Sequence, residues 1–411
     1  MVESEADPLS LRRLGDAPHR LLFFVGATNV LLAMAWWTAW LISASSSTPW
    51  MPQPRVPAGW LHAFVMQYQM LPSFMFGFLL TVFPRWMSLP ELSCRHYLPV
   101  GIGLFGGQIA TLMGAMGVAP ALYLGWALTA AGWIAGLTAL APHLWREQGI
   151  TWHARSCFAA LVVALLGLGM FGAYLAGASS WWLLASIKLG TFGLLLPVYL
   201  TVAHRMFPFF AGNVMAGYAS WRPLWLLSAF WLVCIAHLAL ELVQAYGWLW
   251  MVDVPMSLLT MYLCWRWWPR AVERQTSPPL LTTLFIGLAW LPVTFALYSA
   301  QSVWYLVSGM YELGKAPAHA LYIGFFGSVL IAMVTRVTQG HSGRPLFLPT
   351  IASFAFVAIQ IVVITRIVAE VLPDRLLWYA LAAGGWLLGL GPWILWLGKT
   401  YLAPRADGKP G

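Results

Sequence analysis

Two histidines stand where their side chains could bind a metal centre. His62 opens the second long apolar segment of the sequence, and His319 opens the tenth. Histidine is the commonest ligand of haem iron among side chains and also binds copper. A haem with two axial histidines takes one from each of two facing helices, which makes His62 and His319 the candidate pair. The alternative is that each is hydrogen-bonded at the level of the lipid headgroups.

Three further ionisable residues, Lys188, His237 and Glu241, fall inside apolar segments at a similar predicted depth. Ionisable groups at such positions are costly and usually functional. His237 and Glu241 are four residues apart and therefore share one helix face. A hydrogen bond between them is the favoured interpretation of His237, ahead of a metal-ligand role. Met66 follows His62 at helical spacing and could supply a soft ligand, although such methionines are more often packing residues.

A second group of polar residues is predicted on the opposite membrane face. The most distinctive loop of the sequence spans residues 335–346, where Gly340 and Gly343 bracket His341 and permit a tight turn or a close backbone approach. An ordinary basic loop on the cytoplasmic side is the alternative. The members of this inner cluster are His204, Arg205, Arg336, His341 and Arg344.

The elements that position these residues follow from the composition. Of the 411 residues, 60% are hydrophobic and 9% are charged, whereas a soluble domain carries roughly 25% charged residues. Apolar runs long enough to span a bilayer recur along the chain and do not alternate as barrel strands do. We therefore predict an all-α integral membrane protein of about twelve transmembrane helices. The predicted spans are 21–42, 62–83, 97–117, 120–141, 157–178, 181–203, 224–246, 248–268, 281–306, 318–335, 347–369 and 376–398.

The basic residues predict the orientation. Of the 22 Lys and Arg residues, 17 fall in the two tails or the even-numbered loops, four fall in the odd-numbered loops, and Lys188 lies within a span. Because positive charge is retained on the cytoplasmic side, both termini are expected there. Tails 1–20 and 399–411 then flank one membrane domain, 21–398. The basic residues are scattered singly, so a nucleic-acid partner is not expected, and membrane lipid is the surrounding partner.

A weak internal repeat is visible at the inner ends of three predicted helices. Arg85, Arg205 and Arg336 follow the second, sixth and tenth apolar segments, 120 and 131 residues apart. This spacing indicates three four-helix units. The alternative is that arginine is simply common at cytoplasmic helix ends.

The stretch from His319 to Leu346 resembles the NnrS family of haem- and copper-containing bacterial membrane proteins linked to the nitric oxide response. The family pattern H-A-L, followed by T-R-V-x-x-G-H-[TS]-G-R-P-L, is matched at His319, Thr335, Arg336, Gly340, His341, Gly343 and Arg344. Residues 205–210 and 77–81 resemble the family segments R-V-I-P-F-F and G-F-L-L-T. The resemblance implies a haem protein of the bacterial inner membrane with nitric oxide or another small diatomic molecule as ligand; it leaves the redox partner and any catalysis open.

One departure from the family pattern concerns copper. The family opens its second helix with W-H-A-H-E-M, and here Phe64 and Val65 replace the second histidine and the glutamate. We therefore expect weak or absent copper. If copper does bind, Met66, His237 and His341 are the remaining candidate ligands.

The predicted architecture also resembles the main subunit of haem–copper oxidases, which hold a haem between histidines of helices 2 and 10. This resemblance implies a b-type haem on His62 and His319, with its propionates facing Arg366 and Arg375 between the last two helices. Headgroup contact and loop capping are the alternatives for these arginines. The oxidase motifs of the dioxygen-reducing centre are absent from the sequence. The competing function is a transporter whose outer Lys188, His237 and Glu241 bind an anion or couple protons.

Overall fold

The computed structural model describes residues 9–270 and 277–408, and these residues form twelve long helices and no strand. Arg274 and Lys409, which contributed to the predicted orientation, lie outside the described residues. The helices are α1 (Pro18–Ser45), α2 (Ala58–Trp86), α3 (Cys94–Ala115), α4 (Ala119–Arg146), α5 (Trp152–Leu175), α6 (Ser180–Val214), α7 (Trp225–Leu242), α8 (Trp250–Trp267), α9 (Pro279–Ser308), α10 (Ala316–His341), α11 (Thr350–Val368) and α12 (Arg375–Leu402). Short 3₁₀ turns at Leu11–Gly15 and Tyr246–Trp248 precede α1 and α8.

The predicted all-helical fold and helix count are confirmed. In the described part of the chain, eleven of these helices are long and apolar enough to cross a membrane. The twelfth, α8, has 18 residues and carries Asp253 and Arg266, which lower its hydropathy. It nevertheless packs closely along α9.

Two helices extend well beyond their predicted inner ends. Helix α6 continues to Val214 and α10 continues to His341. The interpretation of residues 335–346 as a loop is therefore corrected, because His341 is helical and the chain turns at Gly343, where φ is +69°. The extra turns satisfy their backbone groups within the helix, and Arg205 and Arg336 stack on aromatic rings there.

Helices α2, α6 and α10 form the centre of the bundle. In α2 and α6, 89% of the most apolar stretch is buried, and in α10 78%, whereas the other candidate spans lie between 33% and 61%. Helix α1 packs against α2, α3 and α12, while α3 and α4 form a tight hairpin. In that hairpin, Gly103 and Gly132 allow the two backbones to touch, as small residues do between membrane helices.

The same three central helices share an unusual local geometry. Each contains a π-helical turn, at Met66–Met70, Leu189–Leu195 and Ala320–Gly327. Such turns are rare and are frequent at functional sites. They occupy the second helix of each predicted four-helix unit. This recurrence supports the three-unit organisation that the arginine spacing indicated.

Candidate functional site

The three π turns meet at a buried hydrogen-bonded junction. The Gln67 amide donates to Thr191 Oγ1 at 3.0 Å and to Tyr322 Oη at 2.8 Å. The Thr191 and Tyr322 hydroxyls are also hydrogen-bonded to each other. Each π turn thus contributes one side chain, and together they form a buried polar contact where the three central helices meet. We refer to these three residues as the central junction.

An apolar cavity of about 70 Å³ lies between the same three helices. Its walls are built almost entirely from hydrocarbon and aromatic side chains. They include Phe74, Phe78, Val198, Ala203, Met333 and Val337, with Phe23 from α1. A cavity of this character remains dry and accepts small apolar molecules.

His62 and His319 belong to one outer cluster. Their imidazoles interact electrostatically, as expected of residues near the outer ends of adjoining central helices. The His62 ring stacks on Trp37 with ring centroids 4.4 Å apart and planes 8° from parallel. The Nδ1 atom of His319 lies 2.9 Å from the carbonyl oxygen of Lys315. The structure thus places the two predicted ligands within electrostatic range of each other, and their role as ligands stays a prediction.

Arg366 and Arg375, the predicted partners of the haem propionates, have different surroundings. Arg366 is buried and forms an ion pair with Glu370 at 2.6 Å, with its guanidinium 3.7 Å above the Tyr379 ring. Tyr379 also donates to the second carboxylate oxygen of Glu370 at 2.9 Å. Desolvation, together with repulsion by Arg366, lowers the pKa of the Lys315 ammonium. Arg375 lies exposed at the start of α12.

The outer cluster fits an axial haem ligand set. His319 is anchored through Nδ1 to a backbone carbonyl, an arrangement that orients Nε2 as a ligand in metal sites. The Nδ1 atom of His62 is buried without a hydrogen-bond partner, as a group awaiting a partner would be. His62 and His319 would hold a haem through their imidazoles, and the bound group would supply iron-centred redox chemistry. Across residues 9–270 and 277–408, no three or more His, Cys, Asp or Glu side chains converge on a metal position.

A second outer group, which we call the charge network, comprises Lys188, His237, Glu241 and Asp253. Lys188 Nζ lies 2.8 Å from Glu241 Oε1. His237 places Nε2 at 3.5 Å from Glu241 Oε1 and Nδ1 at 2.7 Å from Asp253 Oδ1. The predicted pairing of His237 with Glu241 is present, but the shorter contact is to Asp253. An aspartate inside an apolar segment was the signal that sequence reasoning missed.

The predicted inner cluster divides into separate contacts. His204 Nδ1 lies 2.8 Å from His153 Nε2, and His204 Nε2 lies 3.1 Å from the carbonyl oxygen of Pro223. His153 was absent from the predicted set, although its position at the start of α5 predicted it on the same side of the membrane as His204. Arg205 lies over the Trp86 ring at 4.5 Å.

The remaining inner residues lie around the end of α10. The rings of His341 and His19 are 4.3 Å apart, and an Arg85 nitrogen lies 3.4 Å from His341 Nε2. Arg336 lies over the Phe210 ring at 3.9 Å. Arg344 donates to Thr400 Oγ1 at 2.7 Å. His341 therefore pairs with His19 rather than with His204.

Met66, the predicted soft ligand, begins the π turn of α2 and is half-buried. Its backbone N–H donates to the carbonyl oxygen of His62, so the regular helical spacing between the two residues is kept up to the start of the π turn. The candidate copper ligands Met66, His237 and His341 are thus distributed over the π turn of α2, the charge network and the inner end of α10.

The fold assigns the chain to the multi-pass helical membrane proteins, since apolar spans account for most of its described length. Within that class the chain belongs to the NnrS family: the family model, described as NnrS protein, matches residues 13–405. The resemblance indicated by the segment from His319 to Leu346 is confirmed. The chain is therefore a membrane protein of a family linked to the nitric oxide response. A comparison with curated proteins finds no match.

Proposed function

We propose that this chain is a haem-binding protein of the bacterial cytoplasmic membrane that acts in the nitric oxide or nitrosative-stress response. The observation that carries the proposal is the outer pair, His62 and His319, supplied by two of the three central helices. A b-type haem held there would supply one-electron redox chemistry, and a diatomic ligand would bind its iron only by displacing one of the two histidines. The distribution of basic residues supports a cytoplasmic location for both termini.

The residues of the chain have distinct parts in this proposal. The Lys315 carbonyl holds the His319 ring in one orientation, and the Trp37 face fixes the plane of His62. Lys315 and Arg366 supply positive charge near the pair, which suits the two carboxylates of a haem. Glu370 already compensates Arg366, so Arg366 would share its charge between two acceptors.

The apolar cavity supports a small uncharged ligand. Nitric oxide and similar diatomic molecules are apolar enough to prefer such a space to water. The cavity lies between the central helices and on a different part of them from the outer pair, since its lining shares no residue with that pair. We therefore assign to it the storage or passage of such a ligand rather than its chemistry.

The absorption spectrum of the purified protein tests this function. We expect a sharp Soret band with resolved visible bands, as six-coordinate haem gives. His62→Ala and His319→Ala should each abolish the low-spin spectrum. His96→Ala is the matched control, because this exposed histidine makes its hydrogen bonds with nearby Ser93. Full haem retention in both single variants would rule out the pair.

A transporter is the second candidate function, favoured by the charge network buried within α6, α7 and α8. Ionisable side chains in membrane helices commonly line ion or substrate pathways. A protein that is colourless after expression with adequate haem supply, yet accumulates an anion or moves protons in vesicles, would support this alternative over the haem protein.

A further inference from the structure

The charge network has no part in the haem site proposed above and calls for an account of its own. Side chains of His237, Glu241 and Asp253 have no exposed surface, and that of Lys188 is 23% exposed. Charges buried to this degree are costly unless they are paired and hydrogen-bonded. Their persistence inside a membrane domain therefore indicates a specific use.

Both ring nitrogens of His237 face carboxylate oxygens. Nδ1 lies 2.7 Å from Asp253 and Nε2 lies 3.5 Å from Glu241. A neutral imidazole carries one N–H and therefore donates to only one of these carboxylates. Its other nitrogen would then direct a lone pair at a negative charge. The geometry suits an imidazolium, which donates a hydrogen bond from Nδ1 to Asp253 and places positive charge within ion-pair distance of Glu241, where Nε2 makes no hydrogen bond.

The count of charges in the network also indicates that His237 is protonated. Two carboxylates face one ammonium, that of Lys188, so the network with a neutral imidazole has a net negative charge. One additional proton brings the four side chains to neutrality. Glu241 Oε2 and Asp253 Oδ2 have no hydrogen-bond partner, so little else nearby offsets their charge. Neutralisation by proton uptake is the usual response of such buried groups.

The other titratable groups around His237 are phenols, which are neutral at ordinary pH. Tyr298 of α9 lies edge-on to the imidazole, with ring centroids 5.0 Å apart. Tyr246, Tyr311 and Tyr322, from the adjoining loops and α10, interact electrostatically with Glu241. The balance of charge at His237 is therefore set by Lys188, Glu241 and Asp253.

We propose that Lys188, His237, Glu241 and Asp253 form a proton-binding site in the outer half of the membrane domain, with His237 as the proton acceptor. Lys188 is the most accessible of the four side chains and therefore forms the edge of the site that is open to the surroundings. The site binds one proton reversibly and needs no metal or haem. It therefore extends beyond the proposed haem function and does not depend on it.

The proton site has a direct structural connection to the central junction. Phe192 stacks on the His237 ring with centroids 3.8 Å apart. Its neighbour Thr191 belongs to the same π turn and is hydrogen-bonded to Gln67 and Tyr322. Lys188 directly precedes this turn. A change of charge at His237 would therefore act on the element that joins the three central helices.

The experiment follows the ring nitrogens of His237 by NMR in protein labelled with ¹⁵N-histidine and held in lipid nanodiscs. Spectra are recorded from about pH 5 to about pH 9, the range over which histidines titrate. We expect one imidazolium signal that outlasts those of the other histidines as the pH rises, gives way to neutral imidazole near the alkaline end, and is missing from His237→Gln. A neutral imidazole signal for His237 at neutral pH in the wild-type protein would overturn the proposal.

Charge variants separate a proton site from a merely structural cluster. Asp253→Asn and Glu241→Gln each remove a negative charge and should lower the titration midpoint of His237 by about one unit or more, a tenfold change in proton affinity. Lys188→Met removes the positive charge and should raise the midpoint. Asp374→Asn, an exposed site at the start of α12, is the control and should change nothing.

Shifts of the same sign in all three network variants would contradict the charge argument, because general damage to the fold does not follow the sign of the removed charge. A second comparison replaces sodium in the buffer with a bulky organic cation. It shows whether a proton or a metal cation neutralises the charge network. An unchanged imidazolium signal supports the proton. A signal that depends on sodium would overturn the proposal in favour of a bound metal cation.

Discussion

Gln67 and Tyr322 are hydrogen-bonded at 2.8 Å between two π turns that lie 255 residues apart in the sequence. Thr191 completes the contact from the third π turn. A π turn widens the helix and reorients the side chains that follow it. Three such turns therefore direct three polar side chains to one point at the centre of the bundle, where the four-helix units meet.

Removing one hydroxyl from this junction should destabilise the protein. Tyr322→Phe loses its bonds to Gln67 and Thr191, and we expect a cost of about 1 to 3 kcal/mol because the remaining donors stay buried. The measurement is the midpoint of thermal unfolding in detergent. Tyr262→Phe, at a residue 42% exposed on α8, is the control and should leave the midpoint unchanged. Equal midpoints for Tyr322→Phe and the wild type would show that the junction does not stabilise the bundle.

The reduction potential of the proposed haem should respond in opposite directions to the two members of the Arg366–Glu370 ion pair. Arg366→Leu removes a cation and leaves the buried carboxylate, which favours the ferric state and lowers the potential. Glu370→Gln leaves the cation uncompensated and should raise the potential. Redox titration followed by absorbance measures both.

The double variant Arg366→Leu with Glu370→Leu controls for damage to the fold. Breaking a buried ion pair costs about 3 to 5 kcal/mol, whereas replacing both members with apolar residues is far less costly. We expect its potential to lie close to that of the wild type. Potentials that fall in every variant, whichever charge is removed, would show that neither residue acts on the haem through its charge.

Much of this arrangement could be predicted from the sequence. The length of the apolar runs and the sidedness of the basic residues predicted His62 and His319 near outer helix ends, and in the structure the two imidazoles interact electrostatically. Helix-local pairs were also within reach: Glu370 follows Arg366 by four residues, as Glu241 follows His237. The sequence prediction named only the cations near the proposed haem and therefore did not include Glu370.

Contacts between helices distant in the sequence could not be derived in this way. Nothing in the sequence states which helix faces α7, so the contact of His237 with Asp253 of α8 was not expected. The same holds for His153 with His204 and for His19 with His341. The π turns were equally hidden, because an inserted residue changes helical register without changing the apolar composition.

Purified protein should contain little or no copper. The positions that carry histidine and glutamate in the family pattern are Phe64 and Val65, both fully buried and apolar. Neither side chain can bind copper. Elemental analysis of protein expressed with added copper gives the metal ratio. Stoichiometric copper would contradict this expectation and would direct mutagenesis to Met66, His237 and His341.

Reporter fusions should place residues 55 and 315 outside and residues 150 and 215 inside. The expectation rests on the distribution of Lys and Arg. The fusion at residue 315 is decisive because it follows α8, the helix of lowest hydropathy. If α8 did not cross the bilayer, residue 315 would report a cytoplasmic position and the helix count would be odd. Residue 275, the corresponding inner position after α8, lies outside the described residues.

Xenon should bind in the apolar cavity between α2, α6 and α10. The cavity of about 70 Å³ has walls of hydrocarbon and aromatic groups, and xenon occupies dry spaces of this kind. Ala203→Leu should abolish binding, because Ala203 lines the cavity and a leucine side chain would fill part of it. Ala127→Leu, on an exposed face of α4, is the matched control. The measurement is ¹²⁹Xe NMR of the protein in nanodiscs.

If the proposed passage of nitric oxide uses this space, the rate of nitric oxide binding should fall in Ala203→Leu and remain unchanged in Ala127→Leu. Xenon displaced without any change in that rate would separate the cavity from the path of the ligand.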